Sequence, residues 1–277
     1  MLTLDEKRAV LEARLADAGR VAVAFSGGVD STLLLHVAHE VLGDGAAAVM
    51  VASPFMPGVE QAEAVAFCET RGIRLLRVQA DPLADAAIRA NTTERCYLCK
   101  RQLFALVCAA AAEAGFPTVA DGSNADDAHD FRPGMRALRE LGVISPLEEA
   151  GLTKRDIRAL SKAAGLPTAD KPSMACLATR VPYGTELDER VLARIEAAED
   201  YLHGLGFAQV RVRDHGDVAR IEVEPADIEA LIADNVRAAV DAHLRGLGYA
   251  HVSADLAGFR SGSMNAAALV NGANHGE

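Results

Sequence analysis

The chain has 277 residues, half of them hydrophobic, which is enough to bury one substantial core and a smaller second domain. Its formal net charge of −11 argues against a broad basic surface for nucleic acid. No apolar run reaches the ~18 residues of a membrane span, and residues 1–15 suggest an amphipathic helix rather than a signal peptide, so we expect a cytoplasmic protein with no membrane partner.

The first distinctive element is a glycine-rich turn behind a short apolar strand. Residues 21–25 predict a buried strand, and SGGVDS then leads into an apolar segment with helical character. Backbone N–H groups and the dipole at a helix N-terminus favour an anion, here a pyrophosphate. The turn lacks the lysine of a GxxxxGK[ST] loop and does not fit GxGxxG. It comprises Ser26, Gly27, Gly28, Val29, Asp30 and Ser31.

Strands and helices alternate after this turn, as they do in a doubly wound parallel sheet of the α/β class. The predicted strands are 46–53, 73–79 and 118–123, and the predicted helices are 57–70 and 99–114. The SGGVDS turn, Ser53 and residues 121–124 all follow strand ends. Since ligands bind at the carboxyl ends of parallel strands, these residues are expected to converge on one nucleotide.

A second motif, ADGSNADDAHD at 120–130, places polar side chains after the last of these strands. Asn124, Asp126 and Asp127 offer oxygen ligands of the kind that Mg²⁺ shares with phosphates. Clustered Asp and Asn are also ordinary loop and helix-capping residues. Beside SGGVDS the metal interpretation is favoured, with Asp30 and Asp127 as the Mg²⁺ ligands.

Five cysteines, an odd number, suggest thiol or metal chemistry rather than a disulfide framework. Cys96 and Cys99 form a CxxC pair. The adjacent cations Lys100 and Arg101 would favour the thiolate forms of these cysteines. Cys176 lies in a Pro/Gly-rich stretch without periodicity.

The spacing leaves several kinds of cysteine site open. A catalytic or redox pair is one, and a zinc site completed by His129 or His215 is another. Three cysteines also suit a [4Fe-4S] cluster with one iron left open. Cys68 and Cys108 lie in apolar helical stretches and are expected to pack as small hydrophobic residues.

The rest of the chain predicts a small α+β domain. Its elements are a helix at 188–204, strands at 207–213 and 218–224, a helix at 225–245 and a strand at 249–256, before a tail that is expected to fray at 268–277. We therefore divide the chain into a nucleotide-binding domain (1–168), a linker that carries Cys176 (169–187) and a C-terminal domain (188–277).

Seven motifs, in order and over nearly the whole chain, resemble the LarE family of ATP-dependent sulfur transferases among the N-type, or PP-loop, ATP pyrophosphatases. They are SGGVDS, NTxxRCYxCKxxLF, DGxNADD, KPSMACLATRVPYG, VRVRDHG, ARIEVE and GFRSGSMN. The resemblance implies that ATP adenylylates a carboxylate of pyridinium-3,5-biscarboxylic acid mononucleotide, that pyrophosphate leaves, and that sulfur displaces AMP to give a thiocarboxylate. The product serves the nickel-pincer nucleotide of lactate racemase, so the maturation proteins of lactate racemase are expected partners. The resemblance also implies a homo-oligomer, with a hexamer as the expected assembly.

The resemblance also implies roles for three cysteines. Cys176 matches the sulfur-delivering cysteine, which some members sacrifice to dehydroalanine. Other members carry three cysteines and a [4Fe-4S] cluster with a transferable sulfide, and Cys96, Cys99 and Cys176 match that pattern. The cluster-bearing type is therefore expected, while a Cys96–Cys99 pair that repairs or protects Cys176 stays open. ATP, Mg²⁺ and the cluster are the implied cofactors.

Five further residues are implied at the substrate site. Arg211 and Arg213 alternate on one strand and share a face that suits a phosphate or carboxylate, although a solvated strand face is the ordinary interpretation. Arg260 matches a third arginine of that anion site, and Glu199 an acidic residue near it. Arg180 is expected to hold a phosphate or to orient the linker.

Three alternatives stay open at this point. An amidating or tRNA-thiolating pyrophosphatase would share the loop and the cysteines, but the acidic charge weighs against tRNA. A non-catalytic nucleotide-binding module would have no need for three linked cysteines. A persulfide-dependent thiolase of another small molecule would look almost identical.

Overall fold

A computed structural model describes residues 2–129, 134–172 and 175–260. The chain forms two compact units, Met1–Pro82 with Cys96–Met174, and Leu83–Arg95 with Ala175–Glu277. The predicted frayed tail, the end of the GFRSGSMN motif and the side chain of His129 lie outside the described residues. A segment from the middle of the sequence, Leu83–Arg95, thus belongs to the second unit.

The strands, in chain order, are β1 Val21–Ala24, β2 Ala46–Ala52, β3 Arg74–Gln79, β4 Thr118–Ala120, β5 Val210–His215, β6 Val218–Val223 and β7 His251–Ala254. The α-helices are α1 Leu4–Ala18, α2 Val29–Leu42, α3 Gly58–Arg71, α4 Ala86–Arg89, α5 Arg95–Glu113, α6 Gly134–Glu140, α7 Pro146–Glu149, α8 Lys154–Ala163, α9 Glu189–Gly204, α10 Ile228–Ile232 and α11 Asp234–Gly246. Among the described residues, no helix is both long and apolar enough to cross a membrane.

The first unit contains a parallel sheet of four strands in the order β3-β2-β1-β4. Alternate residues of β1 belong to two different cores. Val21 and Val23 pack into the core that α1 and α2 share, whereas Ala22 packs with Val107 and Phe116 on the opposite face. Because both faces of the sheet are covered, its two inner strands are continuous apolar runs, VAVA in β1 and AAAVMVA in β2. The predicted α/β fold class is confirmed.

The second unit contains a mixed sheet of three strands in the order β5-β6-β7. β5 and β6 form an antiparallel hairpin, and Gly216 takes a positive φ of 73° in its turn, a conformation that suits glycine. β7 runs parallel to β6, and α10 and α11 lie between them in the sequence. Val212, Ile221 and Leu244 belong to the core of this unit.

Several element bounds differ from the sequence-based expectation, for example β5 at Val210–His215 and α5 at Arg95–Glu113, and two differences are larger. The single helix predicted at 225–245 is interrupted, because Ala233 has an extended backbone with a ψ of 140° and serves as the N-cap of α11. β4 ends at Ala120, before the predicted end at residue 123. The residues that follow β4 therefore form a turn at the edge of the sheet.

Candidate functional site

The SGGVDS turn joins β1 to α2 in the first unit. Gly27 has a φ of 71°, and a Cβ there would lie 3.4 Å from the Cβ of Ala64 on α3. Gly28 is the N-cap of α2 and brings no side chain to accept hydrogen bonds from the first N–H groups of the helix. Ser31 instead turns its hydroxyl back onto the Gly28 carbonyl, 3.2 Å away. The geometry leaves the start of α2 suited to an anion.

The backbone after β4 packs directly against this turn. A Cβ on Gly122 would lie 3.0 Å from the amide nitrogen of Ser31, so glycine allows the two segments to approach. Asp121 is buried and accepts hydrogen bonds from Ser123 and from Ser145, the latter at 2.6 Å. These contacts hold the DGSNADD segment against the start of α2.

The structure brings Asn124 to Asp30, with 3.4 Å between the amide Nδ2 and the carboxylate Oδ1. The backbone N–H of Asn124 donates to Asp127 Oδ2 at 3.1 Å. The N–H of Asp126 in turn donates to the side-chain oxygen of Asn124 at 3.0 Å. One tight turn thus presents these polar residues beside Asp30. Ser53 follows β2 directly, and its hydroxyl accepts from the N–H of Phe55 at 3.4 Å.

Lys154, the first residue of α8, completes this group. Its ammonium donates to Asp30 Oδ2, and its backbone N–H donates to Asp126 Oδ2 at 2.8 Å. This lysine could not be predicted from the sequence, because it lies 124 residues beyond Asp30. The only local signal is the helix start Thr153-Lys-Arg-Asp156, a capping box that carries no functional information.

Lys171, at the start of the KPSMAC motif, binds the other side of the turn. Its ammonium donates to the Gly27 carbonyl at 3.3 Å and to Glu63 at 2.7 Å. Arg158 on α8 donates to the Lys171 carbonyl at 2.9 Å. The chain that leads toward Cys176 is therefore tied to the phosphate loop, a connection that sequence analysis did not find.

Two of the candidate cysteines lie within the first five residues of α5. Cys96 and Cys99 flank Tyr97, whose hydroxyl donates to Glu140 at 2.8 Å and whose ring lies 3.6 Å from the Arg136 guanidinium carbon. The start of α5 is thereby docked onto α6.

The other three cysteines differ sharply in exposure. Cys176 is exposed in the second unit. Cys68 is buried, as predicted, and burial raises the pKa of its thiol to about 12. Cys108 is half-buried, and burial raises the pKa of its thiol as well. Among the described residues of either unit, no three His, Cys, Asp or Glu side chains converge in a group that could hold a metal ion.

The alternating arginines of β5 do not form a solvated face. Arg211 and Arg213 are only 2% and 5% exposed. Arg213 donates to Glu222 at 2.7 Å and to the carbonyl of Thr179 at 3.1 Å, while Arg211 lies 5.3 Å from the ring centre of Phe259. The ordinary interpretation of the pattern is therefore wrong. Arg260 is exposed and lies 3.9 Å from Asp255.

Arg180 is fully buried and forms a two-point ion pair with Glu199, at 2.9 and 2.8 Å. Its remaining nitrogen donates to the carbonyl of Cys176 at 3.1 Å. Glu199 also accepts from the N–H of Val212 at 2.8 Å. Of the two roles expected for Arg180, these contacts serve the one that orients the linker.

Asn91 supports the same segment and was not singled out from the sequence. It is buried, has a φ of 53°, and donates from Nδ2 to the carbonyls of Pro182 and Thr185 at 2.8 and 3.0 Å. Arg95 donates to the carbonyl of Ala178 at 2.9 Å. The NTxxRC motif thus contains two residues that hold the backbone after Cys176. A positive φ at a non-glycine residue is the kind of strain that clusters at functional sites.

Comparison with protein-family models gives no match. Among curated proteins, the chain is 42% identical over 266 residues to the pyridinium-3,5-bisthiocarboxylic acid mononucleotide synthase of Lactiplantibacillus plantarum, and the alignment covers 96% of both chains. It is 38% identical over 262 residues to an uncharacterised protein of Synechocystis, covering 95% of this chain and 98% of the relative. An uncharacterised protein of Methanocaldococcus jannaschii is 28% identical over 242 residues, covering 87% and 91%.

Proposed function

This chain belongs to the family of pyridinium-3,5-bisthiocarboxylic acid mononucleotide synthases, the LarE family, and on that premise we propose that it is an ATP-dependent sulfur transferase. A carboxylate oxygen of pyridinium-3,5-biscarboxylic acid mononucleotide attacks the α-phosphorus of ATP. The bond to the β-phosphate breaks, and pyrophosphate leaves. A sulfur nucleophile then attacks the acyl carbon, and AMP leaves with one carboxylate oxygen. The product is a thiocarboxylate for the nickel-pincer nucleotide.

The observation that carries this proposal is the contact of Asn124 with Asp30 at the open start of α2. Uncapped N–H groups and the helix dipole favour the phosphates of ATP. The adjacent carboxylates favour the divalent cation that accompanies those phosphates. The ATP site in the proposal consists of the SGGVDS turn with Ser53, Asn124, Asp126 and Asp127.

The residues at this edge fit Mg²⁺. In nucleotide sites Mg²⁺ takes one or two protein carboxylates and completes its shell with phosphate oxygens and water, so a site built by protein side chains alone is not required. Asp30 and Asp127 would hold the ion, which would neutralise charge that develops on the leaving pyrophosphate. The hydrogen bonds from Asn124 to Asp30 and Asp127 orient both carboxylates.

Cys96, Cys99 and Cys176 are proposed to deliver the sulfur. Three thiols match the donor set of a [4Fe-4S] cluster with one open iron, which would supply a replaceable sulfide as nucleophile. The hydrogen bond from Tyr97 to Glu140 fixes the start of α5, which carries the first two cysteines. The hydrogen bond from Arg180 to the Cys176 carbonyl fixes the backbone at the third.

The substrate nucleotide is proposed to bind in the C-terminal domain (188–277). In the sequence, the linker (169–187) connects this domain to the nucleotide-binding domain (1–168). Arg211, Arg213 and Arg260 would bind its phosphate or carboxylate, and Glu199 would hold Arg180 beside them. Guanidinium groups bind such anions through paired hydrogen bonds, which gives geometric selectivity. A homo-oligomer that works with the lactate racemase maturation proteins belongs to the same proposal.

Anaerobic purification tests the source of the sulfur. A brown protein with equal iron and acid-labile sulfide, lost on Cys96→Ala and kept on Cys108→Ala, is the expected result. A colourless protein in which turnover converts Cys176 to dehydroalanine would contradict the cluster and would indicate the sacrificial mechanism. Cys108 is the matched control because it lies on the same helix.

A further inference from the structure

Lys154 occupies a position that helix energetics alone would not favour. It is the first residue of α8, where the positive end of the helix dipole disfavours a cation and favours an acid such as Asp156. Its ammonium is directed to the carboxylate of Asp30 in the phosphate loop, and the two side chains are only 29% and 23% exposed. The position is therefore explained by what lies opposite it.

The start of α8 is fixed to the carboxyl edge of the sheet by contacts that do not involve the lysine side chain. The Lys154 N–H donates to Asp126, and the N–H of Ala125 donates to the carbonyl of Leu152 at 2.9 Å. Thr153 and Asp156 complete a capping box at the same turn. The ammonium is thus carried on a rigid base beside the SGGVDS turn.

We infer that Lys154 is a phosphate-binding residue for the β- and γ-phosphates of ATP, with Asp30 as its counter-ion while no nucleotide is bound. The inference rests on the proposed function, since it presupposes that ATP binds at this turn. The turn contains no lysine of its own, and three carboxylates lie on or beside it: Asp30, Asp126 and Asp127. A triphosphate placed there needs a cation in addition to Mg²⁺, because like charges at short range repel.

The exchange of partners balances the charge. With nucleotide bound, Asp30 would hold Mg²⁺, and the Lys154 ammonium that now pairs with Asp30 would be available to donate up to three hydrogen bonds to the phosphate oxygens. The cation then stabilises the charge that accumulates on pyrophosphate as the α–β bond breaks. A second cation, Lys171, contacts the same turn on its other side, where its ammonium donates to the Gly27 carbonyl and to Glu63.

Calorimetric titration of the full-length protein tests the inference. The ligands are the magnesium complex of α,β-methylene-ATP, which is not cleaved, and AMP, which lacks the β- and γ-phosphates. Lys154→Ala is expected to weaken the binding of the triphosphate analogue by about tenfold or more, the range for a hydrogen bond to a charged group. It is expected to weaken the binding of AMP by less than about threefold. Lys154→Arg should recover part of the loss because it keeps the charge.

Lys162→Ala is the matched control, because Lys162 lies on the same helix, is 59% exposed and pairs with Asp170 away from the turn. It should bind both ligands as the wild type does. Equal affinity of Lys154→Ala and wild type for the triphosphate analogue would overturn the inference, and so would an equal loss for AMP, which would mean that Lys154 only holds the loop.

The proposed function fails separately. A wild type that binds the analogue through Lys154 but transfers no sulfur would overturn the proposed function alone. A wild type that binds neither nucleotide would overturn both.

Discussion

Arg180 and Glu199 form an ion pair that is closed from solvent on both sides, with 0% and 4% of the two side chains exposed. The guanidinium also holds the Cys176 carbonyl, and the carboxylate also holds the N–H of Val212 on β5. The pair therefore joins the segment that carries the exposed cysteine to α9 and to the sheet of the second unit. Neither side chain is exposed to water in the folded protein, so removal of one partner leaves the other charge buried.

Arg180→Ala is expected to lower the free energy of unfolding by about 3–5 kcal/mol, because it leaves the Glu199 carboxylate buried without its partner. Urea denaturation measures the loss. Arg237→Ala is the control in the same unit, since Arg237 is 63% exposed where it pairs with Asp234, and it should change stability by less than about 0.5 kcal/mol. Equal midpoints for the two variants would contradict a structural role for the buried pair.

Gly122→Ala is expected to lower the affinity for Mg·ATP. Its effect on the free energy of unfolding is expected to be smaller than its effect on the free energy of binding. The new Cβ would lie 3.0 Å from the Ser31 nitrogen, a contact with backbone, so the start of α2 and the segment after β4 must move apart by a few tenths of an ångström. Titration calorimetry gives the affinity, and thermal melting gives the stability. Gly246→Ala, at an open position that ends α11, is the control. Unchanged Mg·ATP affinity in Gly122→Ala would show that the loop tolerates the shift.

The ion pair between Lys7 and Asp156 predicts a pH dependence of stability. The Lys7 ammonium, 2.6 Å away, lowers the pKa of Asp156 to about 2. An unfolded aspartate titrates near pH 3.9, so the folded state binds this proton less tightly. The stabilisation is fully present above about pH 4 and is lost as the pH falls through 2.

Asp156→Asn should therefore be less stable than wild type at pH 7, and the difference should shrink steadily below pH 4. Urea denaturation over that pH range measures it. A difference that stays constant down to pH 2 would mean that the charge of Asp156 contributes nothing.

The cysteines are expected to differ in their reaction with iodoacetamide. In protein prepared without a cluster, Cys176 is exposed and should be alkylated first, whereas burial raises the pKa of Cys68 to about 12 and shields its sulfur. Peptide mass spectrometry after timed labelling follows each thiol. Rapid labelling of Cys68 in the folded protein would show that the core around α3 opens far more readily than its burial implies.

Local patterns were sufficient to predict most of the fold. The apolar run of β2 and the alternation of strands and helices predicted a doubly wound sheet, because each strand and each helix is indicated by residues that are neighbours in the sequence. The break at Ala233 was not predictable from the apolar pattern, since alanine is ordinarily a good helix former.

The site was only partly predictable, for a different reason. Asp30 and Asn124 follow strand ends, so parallel-sheet topology was enough to bring them together. Lys154 and Lys171 follow no such rule, and their contacts with the phosphate loop depend on how α8 and the chain after it pack. Asn91 likewise acts on carbonyl groups 91 and 94 residues further along the chain.

The most direct test of the account is a single turnover with ATP, Mg²⁺, pyridinium-3,5-biscarboxylic acid mononucleotide and sulfide under anaerobic conditions. Mass spectrometry should find AMP and a thiocarboxylate product in equal amounts, with one sulfur in place of one oxygen. Cys176→Ala should still release pyrophosphate but should form no thiocarboxylate. ADP in place of AMP, or AMP without sulfur in the nucleotide, would contradict the account.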